Sequence, residues 1–85
     1  MFAVEWHQYA IQLLLQIEQE MSNPESIRQA AAYMDFNLRR MPHDMGESRD
    51  MGYRLWYSDV LGLYFHVIDA TNKVVVVNVA KAKRK

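Results

Sequence analysis

Met51 to Ala80 reads as three strands in succession, and no other feature limits the possible folds so tightly. Tyr53-Arg54-Leu55-Trp56-Tyr57, Leu63 to Ile68 and Val74 to Val79 are rich in aromatic and β-branched residues. Ser58-Asp59 and Asp69-Ala70-Thr71-Asn72 separate them with turn chemistry, Asn72 being the residue best suited to positive φ. Upstream, the period changes twice. Phe2, Val4 and Trp6 alternate with Ala3, Glu5 and His7, as in a half-buried strand. From about Gln8, the residues Ala10, Leu13, Leu14, Ile17 and Met21 form one helical stripe, and Ile27, Ala30 or Ala31, Met34, Leu38 and Met41 form a second. Asn23-Pro24-Glu25 suits a helix start, with a cap, a first-turn proline and an acid at the positive end of the dipole, and Pro42 is a stop. The short Ser22-Asn23 link predicts an antiparallel helical hairpin.

This order predicts an α+β protein of two layers. The N-terminal strand, the hairpin and a three-stranded antiparallel meander would form a curved four-stranded sheet with helices on one face. The first strand should join the sheet beside a later one. His43 to Asp50 reads as a polar loop, and Val74 to Val77, apolar at every position, as a central strand covered on both sides. Arg54 and the basic terminus would line the open face.

Eighty-five residues make one domain, 1–85. A chain this short buries only about 60–65% of its unfolded surface and so gains stability from a partner or a copy of itself. Cysteine is absent, which excludes disulfides, a thiol nucleophile and cysteine-bound zinc; together with the lack of a secretory pattern this points to the cytoplasm. No run reaches the ~18–20 apolar residues of a membrane span. Ten basic and ten acidic side chains cancel, but unevenly along the chain. Residues 1–48 carry Glu5, Glu18, Glu20, Glu25, Asp35, Asp44 and Glu47 against Arg28, Arg39 and Arg40. The remainder carries Arg49, Arg54, Lys73, Lys81, Lys83, Arg84 and Lys85 against Asp50, Asp59 and Asp69. A basic sheet half makes an anionic partner a natural hypothesis.

The order of elements, Val4-Glu5-Trp6 running straight into a helix, Gly52-Tyr53-Arg54-Leu55, Tyr64 to Asp69 and the closing Val74–Lys83 together resemble the RelE/ParE superfamily of toxins from bacterial toxin–antitoxin pairs. The resemblance spans nearly the whole chain, as a pattern of elements rather than an invariant motif. It implies a growth-inhibiting protein of the plasmid-stabilization kind, neutralised by a cognate antitoxin that wraps around it. RelE-like members cut messenger RNA in the ribosomal A site through the RNA's own 2′-hydroxyl, helped by Lys, Arg and a Tyr or His; ParE-like members act on DNA gyrase. Arg54 falls where RelE-like members have a basic residue, but Trp56 stands where a second is usual and Gly62 near a usual Arg. Lys81, Lys83 and Arg84 match the closing basic cluster in kind, with Ala82 in competition for the key position. No Tyr or His follows them. These departures favour a ParE-like or catalytically degenerate member over a competent ribosome-dependent endoribonuclease, and leave open whether the chain is an enzyme.

In-line attack by a 2′-hydroxyl needs a base, an acid and cations. Glu47 and His66 are the candidates for acid–base work, each with a plainer role as a loop ion pair or a packed sheet residue. Arg49, Arg54, Trp56, Lys81, Lys83 and Arg84 form the candidate target- or nucleic-acid-binding set, with Trp56 and Tyr57 available for base stacking. His7, His43 and His66 have no metal-ligand spacing, so neither metal nor cofactor is expected. Two other readings remain: a non-enzymatic protein-interaction module, self-association included, and a general RNA binder.

Overall fold

The computed structural model describes residues 1–82. Strand β1 (Ala3–Trp6) leads into helix α1 (Gln8–Glu20), and α2 (Pro24–Arg40) follows. A 3₁₀ turn at Pro42–Asp44 precedes the short strand β2 (Glu47–Ser48), after which come β3 (Tyr53–Tyr57), β4 (Leu61–Ile68) and β5 (Lys73–Lys81). The sheet order is β1-β5-β4-β3-β2, with β1 parallel to β5 and the remaining pairs antiparallel. The sheet thus has five strands where the sequence predicts four. The extra one lies inside the stretch read as a polar loop, because two exposed polar residues pair with Leu55 and Arg54 and leave no periodic trace.

Helix α1 packs on β5, and α2 lies over β1 and β4. Ala10 and Ile17 from α1 and Ile27, Ala31, Met34 and Leu38 from α2 meet Leu61, Leu63, Phe65, Val67, Val74, Val76 and Val79, all buried. Met41, grouped with the second stripe, is instead exposed, since α2 ends at Arg40. Trp6 ties the layers together: its indole Nε1–H donates to Asp35 Oδ1 at 2.9 Å, and Arg39 Nε donates to the other carboxylate oxygen at 2.8 Å.

Strand β5 lies inside the sheet, between β1 and β4, as its valine run predicts, but its two faces are unequally covered. A bulge opposite Tyr64/Phe65 moves the pairing from Asn78 to Val76, so Val77 is the unmatched residue. Val74 and Val76 face the helices before the bulge, and Val79 does so after it. The bulge therefore accounts for Val77 alone, while Val75 lies on the open face opposite His66, and both stay half-buried.

Between β2 and β3 the chain reverses through Asp50-Met51-Gly52-Tyr53. Met51 sits at φ 59° and Gly52 at φ 84°, and the Tyr53 N–H donates to the Asp50 carbonyl. Two central residues at positive φ make a type I′ turn, whose twist suits a hairpin. Asn72 takes φ 50° at the β4–β5 turn, as its residue type predicts.

Candidate functional site

Cross-strand partners share a face of the sheet, so the buried residues of β4 decide which way β3 points. Arg54 pairs with Phe65 and Trp56 with Leu63, and both partners are fully buried beneath the helices. Arg54 and Trp56 therefore lie on the helix side. This corrects the expectation that Arg54 lines the open face. Its Nε–H donates to the Met45 carbonyl at 2.8 Å and its Nη2 to the Gly46 carbonyl at 3.1 Å. The guanidinium thus fastens the 45–46 segment to β3. Trp56 packs toward α2, with its ring 6.3 Å from that of Tyr33.

Lys81 belongs to the same side. It pairs with buried Leu61, and its Nζ lies 3.4 Å from Glu20 of α1. Arg49 holds Glu47 at 3.0 Å on the β2 margin. Lys83 and Arg84 lie outside the described residues. Among the described residues every other cation is also engaged: Arg28 with Glu18 and Glu25, Arg39 with Asp35, Lys73 with Glu5, and Arg40 over the Phe36 ring. The Arg28 guanidinium is pushed further up from its ordinary range by Glu25 first and then by Glu18.

The open face carries the alternate residues of the same strands: Tyr53, Leu55 and Tyr57 on β3, Gly62, Tyr64, His66 and Ile68 on β4, and Lys73, Val75, Asn78 and Ala80 on β5. Its centre is aromatic. The Tyr53 ring stacks on His66 with centroids 4.3 Å apart and on Tyr64 with centroids 5.2 Å apart, both within 11° of parallel. Tyr57 leans across Gly62 so closely that a Cβ there would run into its ring. Leu55, Tyr57, Gly62, Tyr64, Asn78 and Ala80 line a cavity of about 220 Å³ beside it. A larger groove of about 580 Å³ opens on the helix side, between α2 and the β3–β4 turn.

Glu47 and His66 share the open face but do not converge. Glu47 pairs with Leu55 and His66 with Tyr53, two strands and two residues apart, which places their Cα atoms roughly 12 Å from each other. The Glu47 carboxylate is held by Arg49 and the His66 ring by the Tyr53 stack. No group of three or more His, Asp or Glu that could hold a metal ion occurs among the described residues, and no helix there is long and apolar enough to cross a membrane. The Tyr53–Tyr64 contact is the element that sequence reading missed. Its signal was present, because fixing Phe65 as a core residue places Tyr64, His66 and hence Tyr53 on the opposite face.

Solved structures supply the comparison. One chain of the toxin–antitoxin complex RelBE2 from Mycobacterium tuberculosis superposes with a TM-score of 0.77 at 18% identity, covering 95% of this chain and 91% of that one. The isolated RelE toxin of E. coli gives 0.72 at 18% identity, over 100% and 88% of the two chains. A chain of the chromosomal ParDE system of P. aeruginosa gives 0.72 at 15% identity and 98% of each. The chain has the RelE/ParE toxin fold. No family model matches it, and no curated protein matches it in sequence. The helical hairpin, the parallel β1–β5 pair and the antiparallel meander make up that fold here.

Proposed function

We propose that this chain is the toxin of a bacterial type II toxin–antitoxin pair, ParE-like or catalytically degenerate, acting in the cytoplasm and neutralised by a cognate antitoxin. The fold motivates the class, and one observation carries the narrower reading. Among the described residues the open face carries cations only at its margins, Lys73 paired with Glu5 and Arg49 paired with Glu47, and its acid–base candidates stand apart. Cleavage by a 2′-hydroxyl requires positive charge aimed at the phosphorane and a paired acid and base. Among the described residues, an aromatic surface with only paired cations at its margins, Lys73 on Glu5 at 3.2 Å and Arg49 on Glu47 at 3.0 Å, supplies neither. Such a surface suits contact with protein, where aromatic residues dominate binding energy, so DNA gyrase or another protein target fits better than ribosome-bound messenger RNA.

Tightly controlled expression in a bacterial host tests this, with growth, messenger RNA ends and plasmid supercoiling followed together. Arrest with intact messages is the expected result, and altered supercoiling would place the chain with the gyrase poisons. Codon-positioned cuts in messenger RNA would overturn the reading. Absence of arrest would leave a non-enzymatic interaction module with a toxin-like fold.

A further inference from the structure

Helix α2 exposes one face whose chemistry complements itself. Glu25, Gln29, Ala32, Phe36 and Arg40 follow the i, i+4, i+7, i+11, i+15 spacing of a single stripe, with Tyr33 beside it, and all are exposed. Phe36 is 55% and Tyr33 61% exposed, unusual for rings this large. The stripe begins with an acid and ends with a base. Turned antiparallel, a second copy brings Arg40 against Glu25, Phe36 against Gln29 and Tyr33 against Ala32, and then repeats the same contacts in reverse. A two-fold interface demands this pattern, because one patch must serve as both partners.

We propose that the chain self-associates through this face of α2, as an antiparallel dimer. Charge supports it at both ends: Glu25 uses Oε1 for Arg28 at 2.8 Å, while its Oε2 is approached by Gln29 at 3.5 Å, leaving room for an incoming guanidinium. Arg40 already lies over Phe36, 5.4 Å from the ring centroid, so the cation and the ring reach the second copy together. Shape supports it too. Gln29, Tyr33 and Trp56 border the groove of about 580 Å³ beside α2, and the Phe36 ring of the second copy falls next to Gln29 at its mouth. The other exposed apolar stripe, Ile11 and Leu15 on α1, lacks this property. The first turn of α1 carries no acid and its last turn no base, so it presents no charge pair to a copy of itself. A domain of this size also has reason to bury more surface.

Sedimentation of the purified full chain tests the proposal, with four proteins compared across micromolar concentrations. The wild type is expected at twice the chain mass of 10.0 kDa. Glu25→Arg and Arg40→Glu should each weaken the dimer by roughly tenfold or more, since each sets like charges against one another at both ends. The double reversal, E25R with R40E, should restore it. The chain has no cysteine, so Ala32→Cys carries the sole thiol, and a short bis-maleimide should then join two copies across the axis. A wild type that stays at monomer mass overturns the proposal. So does a dimer indifferent to the single reversals, a double variant that remains monomeric, or failure of the Ala32→Cys chains to crosslink.

Discussion

Replacing Arg54 separates a structural guanidinium from a target-binding one. The side chain donates two charge-assisted hydrogen bonds to main-chain carbonyls, from Nε to Met45 at 2.8 Å and from Nη2 to Gly46 at 3.1 Å. The first is part-buried and the second exposed, so the first accounts for most of the effect. Hydrogen bonds to charged groups contribute about 1.5–3 kcal/mol when shielded and less when exposed, which gives about 2–3 kcal/mol for Arg54→Ala. For a domain of this length, that lowers Tm by roughly 10–15 °C. Arg54→Lys should recover only part of the loss, because an ammonium is a point donor and cannot fork to both carbonyls. Thermal and urea unfolding followed by circular dichroism give the numbers, with an unchanged urea slope showing that the unfolded state is not responsible. An Arg54→Ala protein with wild-type Tm that nonetheless lost growth arrest would refute the reasoning and return Arg54 to the target-facing surface.

Gly46→Ala should cost about 3 kcal/mol or more in urea unfolding, since φ is +68° there and the new Cβ would strike the Leu55 carbonyl and the Trp56 side chain. Met51→Gly should raise stability by about 1 kcal/mol, because Met51 is 89% exposed and occupies a left-handed position with no compensating burial. Leu55→Lys should place a cation on the open face beside Tyr64. The slope of log affinity against log salt for an oligouridine should stay unchanged, and a steepening by about 0.7 per added phosphate contact would mean that this face receives the strand after all.

Much of the architecture was legible in the residues. The alternation of Phe2, Val4 and Trp6, the helical stripes and the Asn23-Pro24 start all specify elements that the structure contains. Each rests on a period that only one backbone geometry satisfies. The strand β2 was not legible, because Glu47 and Ser48 bury nothing and are held only by pairing with β3. The bulge at Val77 was hidden for a related reason: an apolar run reads the same whether two faces are covered or one face is covered and the parity slips.

The candidate site was legible only as a set of residue types, and β3 shows why. In Tyr53-Arg54-Leu55-Trp56-Tyr57 either alternate set contains large apolar side chains, so the strand's own pattern does not say which set faces the core. Strand β4 does say, because Leu61, Leu63, Phe65 and Val67 are apolar without interruption while Gly62, Tyr64 and His66 are not. Registering β3 against β4 sends Arg54 inward and Tyr53 outward. A one-residue difference in parity thus turns an expected cationic surface into an aromatic one. Arg54, the residue that falls where RelE-like members have a basic one, is in space a brace for the loop before β2, and the chemistry of the open face rests on Tyr53, Tyr64 and His66 instead.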